Sequence, residues 1–293
     1  MGKTNTDYVK WPTFEEIQEM FKEHFEITRR EDGVVTVCMH CNGGPLIWSM
    51  EMHDAIGKMW RLLGTDRDTE MIIFTATGNV WVTDFEADSW AVEGDDAGET
   101  RYNHMFVDGR RMIISMIQDV EVPTLGVLSG SGGHTELALM CDLAIAADDI
   151  TVLDPHMLPG INNVPGDGIH SCFFELMQPR FANWYLMTGD KIKSEDMVRL
   201  GLVSEVVPRE KLMERAYEIA DMFMAQNRIA RRLTSQLVKR NWKKRIADDL
   251  DMAFGTEMFG MFCADELHSE LRSINEYLDL DGKIDPPYKG KVR

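Results

Sequence analysis

The stretch "PTLGVLSGSGGHTELALMCDLAIAAD", residues 123–148, constrains the fold more than any other. Two short apolar runs flank a glycine-rich turn and one helix-like segment. Strand, turn, helix and strand in so short a span make a βαβ unit, so the two strands lie parallel and the crossover is right-handed. "MIIFTAT", residues 71–77, is a third apolar run suited to a strand covered on both faces. Upstream, "FEITRREDGVVTVCM" reads as a hairpin turning at Asp32-Gly33. "SMEMHDAIGKMWRLLG" sets Ile56, Met59, Trp60 and Leu63 at helical spacing, and "NHMFVDGRRMIISMIQDV" predicts another helix. Beyond about Asp167 the pattern is helical apart from "GLVSEVV". The fold class is α/β, with a helical C-terminal region.

Charge narrows the partners. Asp and Glu total 49 against 31 Lys and Arg, a formal net charge of -18, which opposes nucleic acid and anionic membranes. No apolar run reaches the 18 residues of a membrane span, and the N-terminus is polar, so a cytoplasmic protein is expected. The opening "MGKTNT" reads as only a coincidental match to an acylation signal. Five cysteines suit reduced thiols, and the C-x-x-C of Cys38 and Cys41 reads as a strand end rather than a redox or metal pair.

Three segments carry possible chemistry. The glycines of "LSGSGGHTELALM" open a turn whose N–H groups are expected to receive an anion or a developing oxyanion, with His134 and Glu136 in the first helical turn. "LDPHMLPGINNVPGDGIH" puts His156 and Asp167 eleven residues apart in a Gly/Pro-rich loop. Taken singly, His156 reads equally as a loop residue and Asp167 as a helix N-cap. In the last long helix Met252, Phe254, Met258, Phe259, Met261 and Phe262 surround Glu257. That surface reads as core or oligomer contact, or as the wall of an apolar pocket into which Glu257 points. There is no phosphate loop, no H-E-x-x-H and no G-x-S-x-G, so serine catalysis and a metal centre are not expected.

"GVLSGSGGHTELALMCDLAIAADDITVLDP", "GINNVPGDG" and "LMTGDKIKSEDMVRLGLVSEVVPREKLMERA" together resemble the crotonase (enoyl-CoA hydratase/isomerase) superfamily. The resemblance implies a spiral of ββα units with a helical C-terminal trimerisation region. It divides the chain into an N-terminal extension (1–22), an α/β core (23–208) and a helical oligomerisation region (209–293). In a typical hydratase one catalytic Glu lies in the "ELAL" helix, where this chain has Glu136. A second lies twenty residues on, where this chain has His156. Trp81 stands where small residues make room for a thioester, and Glu136, without its partner, reads as structural. These departures resemble the 6-oxocamphor hydrolase branch of β-diketone hydrolases. "LIWSMEMHD" is similar to its segment with a Trp and a His, giving Trp48 and His53. The resemblance likewise gives His134, the pair His156 and Asp167, and Glu257.

The branch implies cofactor-independent hydrolysis of a C–C bond in a cyclic β-diketone by a retro-Claisen route, giving a keto acid. His156 is then the base and Asp167 fixes its tautomer. His134 and Trp48 donate to the enolate, Glu257 and His53 position water or His134, and Trp81 borders the substrate. A homotrimer or dimer of trimers is expected. The alternative is a CoA-dependent hydratase or isomerase working through Glu136.

Overall fold

The computed structural model describes residues 10–90, 92–263, 273–280 and 282–284. Residues 1–9 of the N-terminal extension, with the acylation-like "MGKTNT", and 91, 264–272, 281 and 285–293 lie outside the described residues.

Six strands form the main sheet: β1 (Phe25–Arg29), β2 (Val34–Met39), β3 (Met71–Ala76), β4 (Thr124–Leu128), β5 (Leu143–Ala147) and β6 (Glu205–Val207). Their order across the sheet is their order in the chain. β1 and β2 pair antiparallel, with Phe25 opposite Met39, and every later pair is parallel. Each crossover therefore steps to the adjacent position in one direction, which produces the spiral. The hairpin turns where expected, with Gly33 at φ +93°. Every residue of β3 and β4 is buried, so layers cover both faces of the sheet.

Two helices lie against the first strands. α1 (Phe14–Phe21) is closed by a capping box between Thr13 and Glu16 and buries Phe14, Ile17 and Phe21. It packs on β1 and on α2 (Met50–Thr65), so these residues of the N-terminal extension belong to the core. α2 starts at the Ser49 cap and buries the expected Ile56, Met59, Trp60 and Leu63, with Trp60 against Phe74 at 4.9 Å between ring centroids. Residues 101–119 are helical throughout, as π turns on either side of α3 (Gly109–Ile114).

α4 (Glu136–Leu139) links β4 to β5, completing the βαβ unit. Beyond α5 (Ile169–Leu176) come the helices Pro179–Thr188, Ser194–Leu200, Leu212–Met224 and Arg228–Val238, and then α6 (Arg240–Cys263). Glu70 ties the Arg228–Val238 helix to the core through Arg228, Arg231 and Arg232. The apolar surface of α6 divides: Phe254 is buried, whereas Met252, Phe259 and Phe262 are exposed. All five cysteines are free thiols. No helix among the described residues is long and apolar enough to cross a membrane.

Gly126 explains how closely α4 sits on the sheet, because a Cβ there would run into the backbone of Ala138. Gly126→Ala is expected to cost about 1–3 kcal/mol through overpacking. A lower thermal midpoint by calorimetry is the expected result, and an unchanged midpoint would contradict this packing.

Candidate active site

Four segments converge beside the βαβ unit: the turn before α4, the loop 153–168, the start of α2 and the middle of α6. His134 adopts φ +50°, an uncommon left-handed conformation for a non-glycine residue. Its carbonyl accepts the Trp81 indole N–H at 3.0 Å. Trp48 stacks on its imidazole, with ring centroids 4.0 Å apart and planes 22° from parallel. His134 Nδ1 lies 3.1 Å from Glu136 Oε1 and 3.0 Å from Asp167 Oδ2. Trp48 is set in place by a short parallel pairing of Ile47–Trp48 with Asp84–Phe85. Among the described residues its own indole N–H has no hydrogen-bond partner.

The loop places the second histidine. His156 Nδ1 lies 2.7 Å from Asp154 Oδ1, while its Nε2 faces Glu257 at 3.5 Å and Asp167 at 3.7 Å. Asn163 braces this side, its N–H donating to the His156 carbonyl at 2.7 Å and its Nδ2 to Glu257 Oε1 at 3.2 Å. Asp167 reaches the centre because of its two glycines. Gly166 lies so close to α6 that a Cβ would strike the Ala253 carbonyl and the Glu257 side chain, and Gly168 adopts φ +119°. Asp167 Oδ1 also accepts the Ile169 N–H at 3.4 Å at the start of α5, so its capping and site roles coexist.

The structure brings His134, His156, Asp167, Glu257, His53 and Trp48 together but redistributes their roles. Asp167 was expected to hold His156; its closer imidazole is His134, and Asp154 binds the distal nitrogen of His156. Sequence reading missed Asp154, although Asp-Pro-His is its signal. Proline keeps the preceding residue extended, and residues i and i+2 of an extended segment share a face. Asn163 was also missed, and nothing in its sequence context marks it. Trp81 is wholly buried and gives its only donor to the His134 carbonyl, so it acts through His134 rather than bordering a ligand. His53 is buried edge-on to Trp48 at 5.8 Å and to Trp90 at 5.2 Å, with Phe254 and Gly109 behind it. Trp90 brings the acidic 77–100 segment to the site.

The glycine turn departs from expectation most clearly. Ser131, Gly132 and Gly133 donate their N–H groups to the carbonyls of Asn79, Thr151 and Val82. These amides are committed to backbone partners and offer nothing to an oxyanion. The glycines instead permit close packing, Gly130 against Val80 and Gly132 against Val82.

Charge follows from burial. Burial alone would lower the His134 pKa, but the Glu136 and Asp167 carboxylates override it and raise it to about 10. For His156, burial is likewise outweighed, by Asp154 and Asp167, and the pKa lies well above 6.5. Burial pushes Asp167 upward, yet the His156 and His134 imidazoles hold it well below the usual carboxylate range. Burial raises Glu136, and it raises Glu257 to about 7 against the opposing pull of His156. His53, enclosed by aromatic rings, is lowered by burial to about 4. His134, Glu136 and Asp167, and again His156, Asp167 and Glu257, present ligand-capable atoms within 4.8 Å of one another. In both groups the same atoms already meet as imidazole–carboxylate contacts. A third group, Asp54, His104 and Asp108, is half-buried, and the Lys58 ammonium sits 2.6 Å from Asp54.

The enoyl-CoA hydratase/isomerase family profile matches residues 50–290, and the chain belongs to that family. Over 239 residues it is 25% identical to a short-chain-enoyl-CoA hydratase from Clostridium acetobutylicum, covering 78% of this chain and 87% of that one. It is 29% identical over 160 residues to a crotonyl-CoA hydratase from Syntrophomonas wolfei, covering 54% of this chain and 60% of that one. Among solved structures it is similar to a β-diketone hydrolase from the cyanobacterium Anabaena sp. PCC 7120 bound to (S)-3-oxocyclohexyl acetic acid. That likeness has a TM-score of 0.76 and 25% identity, over 86% of this chain and 98% of the other. An enoyl-CoA hydratase/isomerase from Mycobacterium paratuberculosis shares the fold at a TM-score of 0.72 and 18% identity, over 85% and 98% of the two chains.

The His134 charge is testable through stability. The folded side chain keeps its proton to about pH 10, whereas the unfolded one releases it near 6.5. Its stabilisation is complete below the unfolded value and is lost as pH rises through the folded one. Urea unfolding midpoints should fall between about pH 7 and pH 10, and His134→Gln should flatten part of that decline. An equally steep decline in the variant would refute a buried imidazolium at position 134.

Proposed function

We propose that the chain is a cofactor-independent hydrolase that cleaves a C–C bond of a cyclic β-diketone by a retro-Claisen reaction. The observation that carries this reading is the pair of imidazoles, His134 and His156, with ring centroids 6.0 Å apart and Asp167 between them. Neutral His156 takes a proton from water at Nε2, and the hydroxide adds to one carbonyl. The bond from that carbon to the carbon between the carbonyls then breaks. Its electron pair passes to the other carbonyl as an enolate, whose oxygen receives hydrogen bonds from the His134 imidazolium and the Trp48 indole N–H. Imidazolium His156 returns its proton to the enolate carbon. One water is consumed, and the product carries one ketone and one carboxylic acid. The ligand of the similar Anabaena hydrolase, an oxocyclohexyl acetic acid, has this ketone-plus-acid pattern. The aromatic side chains around the site, Trp48, Trp90 and Phe254, favour an alicyclic substrate.

The family and its curated relatives support a second reading, addition of water to an enoyl-CoA. That chemistry needs carboxylates free to act on water, and Glu136 Oε1 is engaged on His134. The exposed Met252, Phe259 and Phe262 of α6 suit contact between copies of the chain, consistent with a homotrimer or paired trimers in solution.

A panel of cyclic 1,3-diketones, followed by loss of enol absorbance and by detection of a keto acid, tests the proposal. His156→Ala should lower the rate by about 10²–10⁴-fold while leaving the fold intact. The base must first lose its proton, which Asp154 and Asp167 hold well beyond the ordinary imidazole range, so activity should climb at a pH above that of a free histidine. It should fall again as His134 loses its proton near pH 10. Hydration of crotonyl-CoA with no diketone cleavage would replace this reading by the second.

A further inference from the structure

We propose that Asp154 is the positioning residue of His156, fixing which imidazole nitrogen reacts and how strongly it holds a proton. The kinetic part of this inference rests on the hydrolase reading; the structural part does not. Asp154 is almost wholly buried, and its Oδ1 lies 2.7 Å from His156 Nδ1. The contacts of Nε2 with Glu257 and Asp167, at 3.5 and 3.7 Å, are longer than a good hydrogen bond. A carboxylate can only accept, so the assignment places a proton on Nδ1 at this short contact. Neutral His156 then carries its lone pair on Nε2, toward Glu257, Asp167 and the His134 ring, where the reacting water must stand.

The chain around Asp154 is built to hold it still. Thr151–Val152 pairs with Ile192–Lys193, and Val152 also bridges to Gly132 in the turn before His134. The Leu153 N–H donates to the Gly132 carbonyl at 3.2 Å. Asp154 thus follows a segment anchored on two sides, and Pro155 restricts it further. The other oxygen, Oδ2, is buried with no hydrogen-bond partner among the described residues.

The groups facing His156 are Asp154 on one edge and Asp167 and Glu257 on the other, with the His134 ring beside them. Removing the Asp154 charge should weaken the hold on the His156 proton, because Asp154 is the nearest anion to it. Asp167→Asn should leave the Nδ1 proton in place, since Asp167 lies on the opposite edge.

Nuclear magnetic resonance of histidine-labelled protein tests this directly, with the His156 signals identified by their loss in His156→Gln. The wild-type neutral imidazole should carry its proton on Nδ1. Asp154→Asn should move the His156 titration to lower pH, and Asp167→Asn should preserve the Nδ1 tautomer. In diketone hydrolysis, Asp154→Asn should shift the ascending limb of kcat/KM to lower pH and reduce kcat by about 10²-fold or more. A wild-type Nε2–H tautomer, or an unmoved His156 titration in folded Asp154→Asn, would overturn the assignment. If Asp154→Asn does not fold, the wild-type tautomer alone decides. If no diketone is cleaved, the hydrolase reading fails while the resonance measurements still judge Asp154.

Discussion

The site depends on where one carboxylate oxygen sits. Asp167 Oδ2 lies 3.0 Å from His134 Nδ1 and 3.7 Å from His156 Nε2. Without it, two imidazoles that both hold protons would face each other across a buried space. Its position is a backbone matter first. Gly166 lets the loop touch α6 and Gly168 turns the chain into α5, so the carboxylate is carried inward with no side chain in the way. The βαβ turn, the loop and the last helix are thereby locked to one another at a charged centre rather than an apolar one.

Four carboxylates, Asp154, Asp167, Glu136 and Glu257, surround two strongly basic imidazoles. They cannot all be ionised in a site this buried, because like charges and burial both oppose it. Asp167, touching both imidazoles, stays ionised, while Glu136 and Glu257 are the ones raised. The site consequently carries more protons near neutrality than its residues would in water. The proposed retro-Claisen cleavage would draw on that surplus, since its enolate must be protonated at carbon. The acid it forms would be an anion among carboxylates, and the same crowding would favour its departure.

Much of this was legible in the sequence because it follows from local pattern. The Asp32-Gly33 hairpin, the α2 stripe and the βαβ unit each rest on residues close in the chain, and each is where the pattern puts it. The family resemblance named the residues that gather at the site. Their pairing was not legible, because it depends on which edge of each ring the backbone turns inward. The resemblance matched Asp167 to His156, yet the left-handed conformation of His134 swings that ring to within reach of Asp167 first. Glu257 shows the same limit. Apolar residues crowd round it on both sides in sequence, and only packing separates the inward Phe254 from the outward Met252 and Phe259.

The glycine turn carries the mechanistic argument furthest. A glycine-rich strand-to-helix turn invites an oxyanion, but here Ser131, Gly132 and Gly133 hydrogen-bond to neighbouring carbonyls. A thioester enolate held by backbone amides would have to displace those bonds. A diketone enolate needs no such rearrangement, because the His134 imidazolium and the Trp48 indole stand stacked beside the turn, one charged and both donors. Stacking holds the two rings in register, and the electron-rich indole face favours a cation on its neighbour. Trp81 holds the His134 carbonyl from behind, so it steadies the proposed donor. On the proposed reading, stabilisation of negative charge falls to side chains rather than to the main chain, and it is then set by the charge state of one histidine.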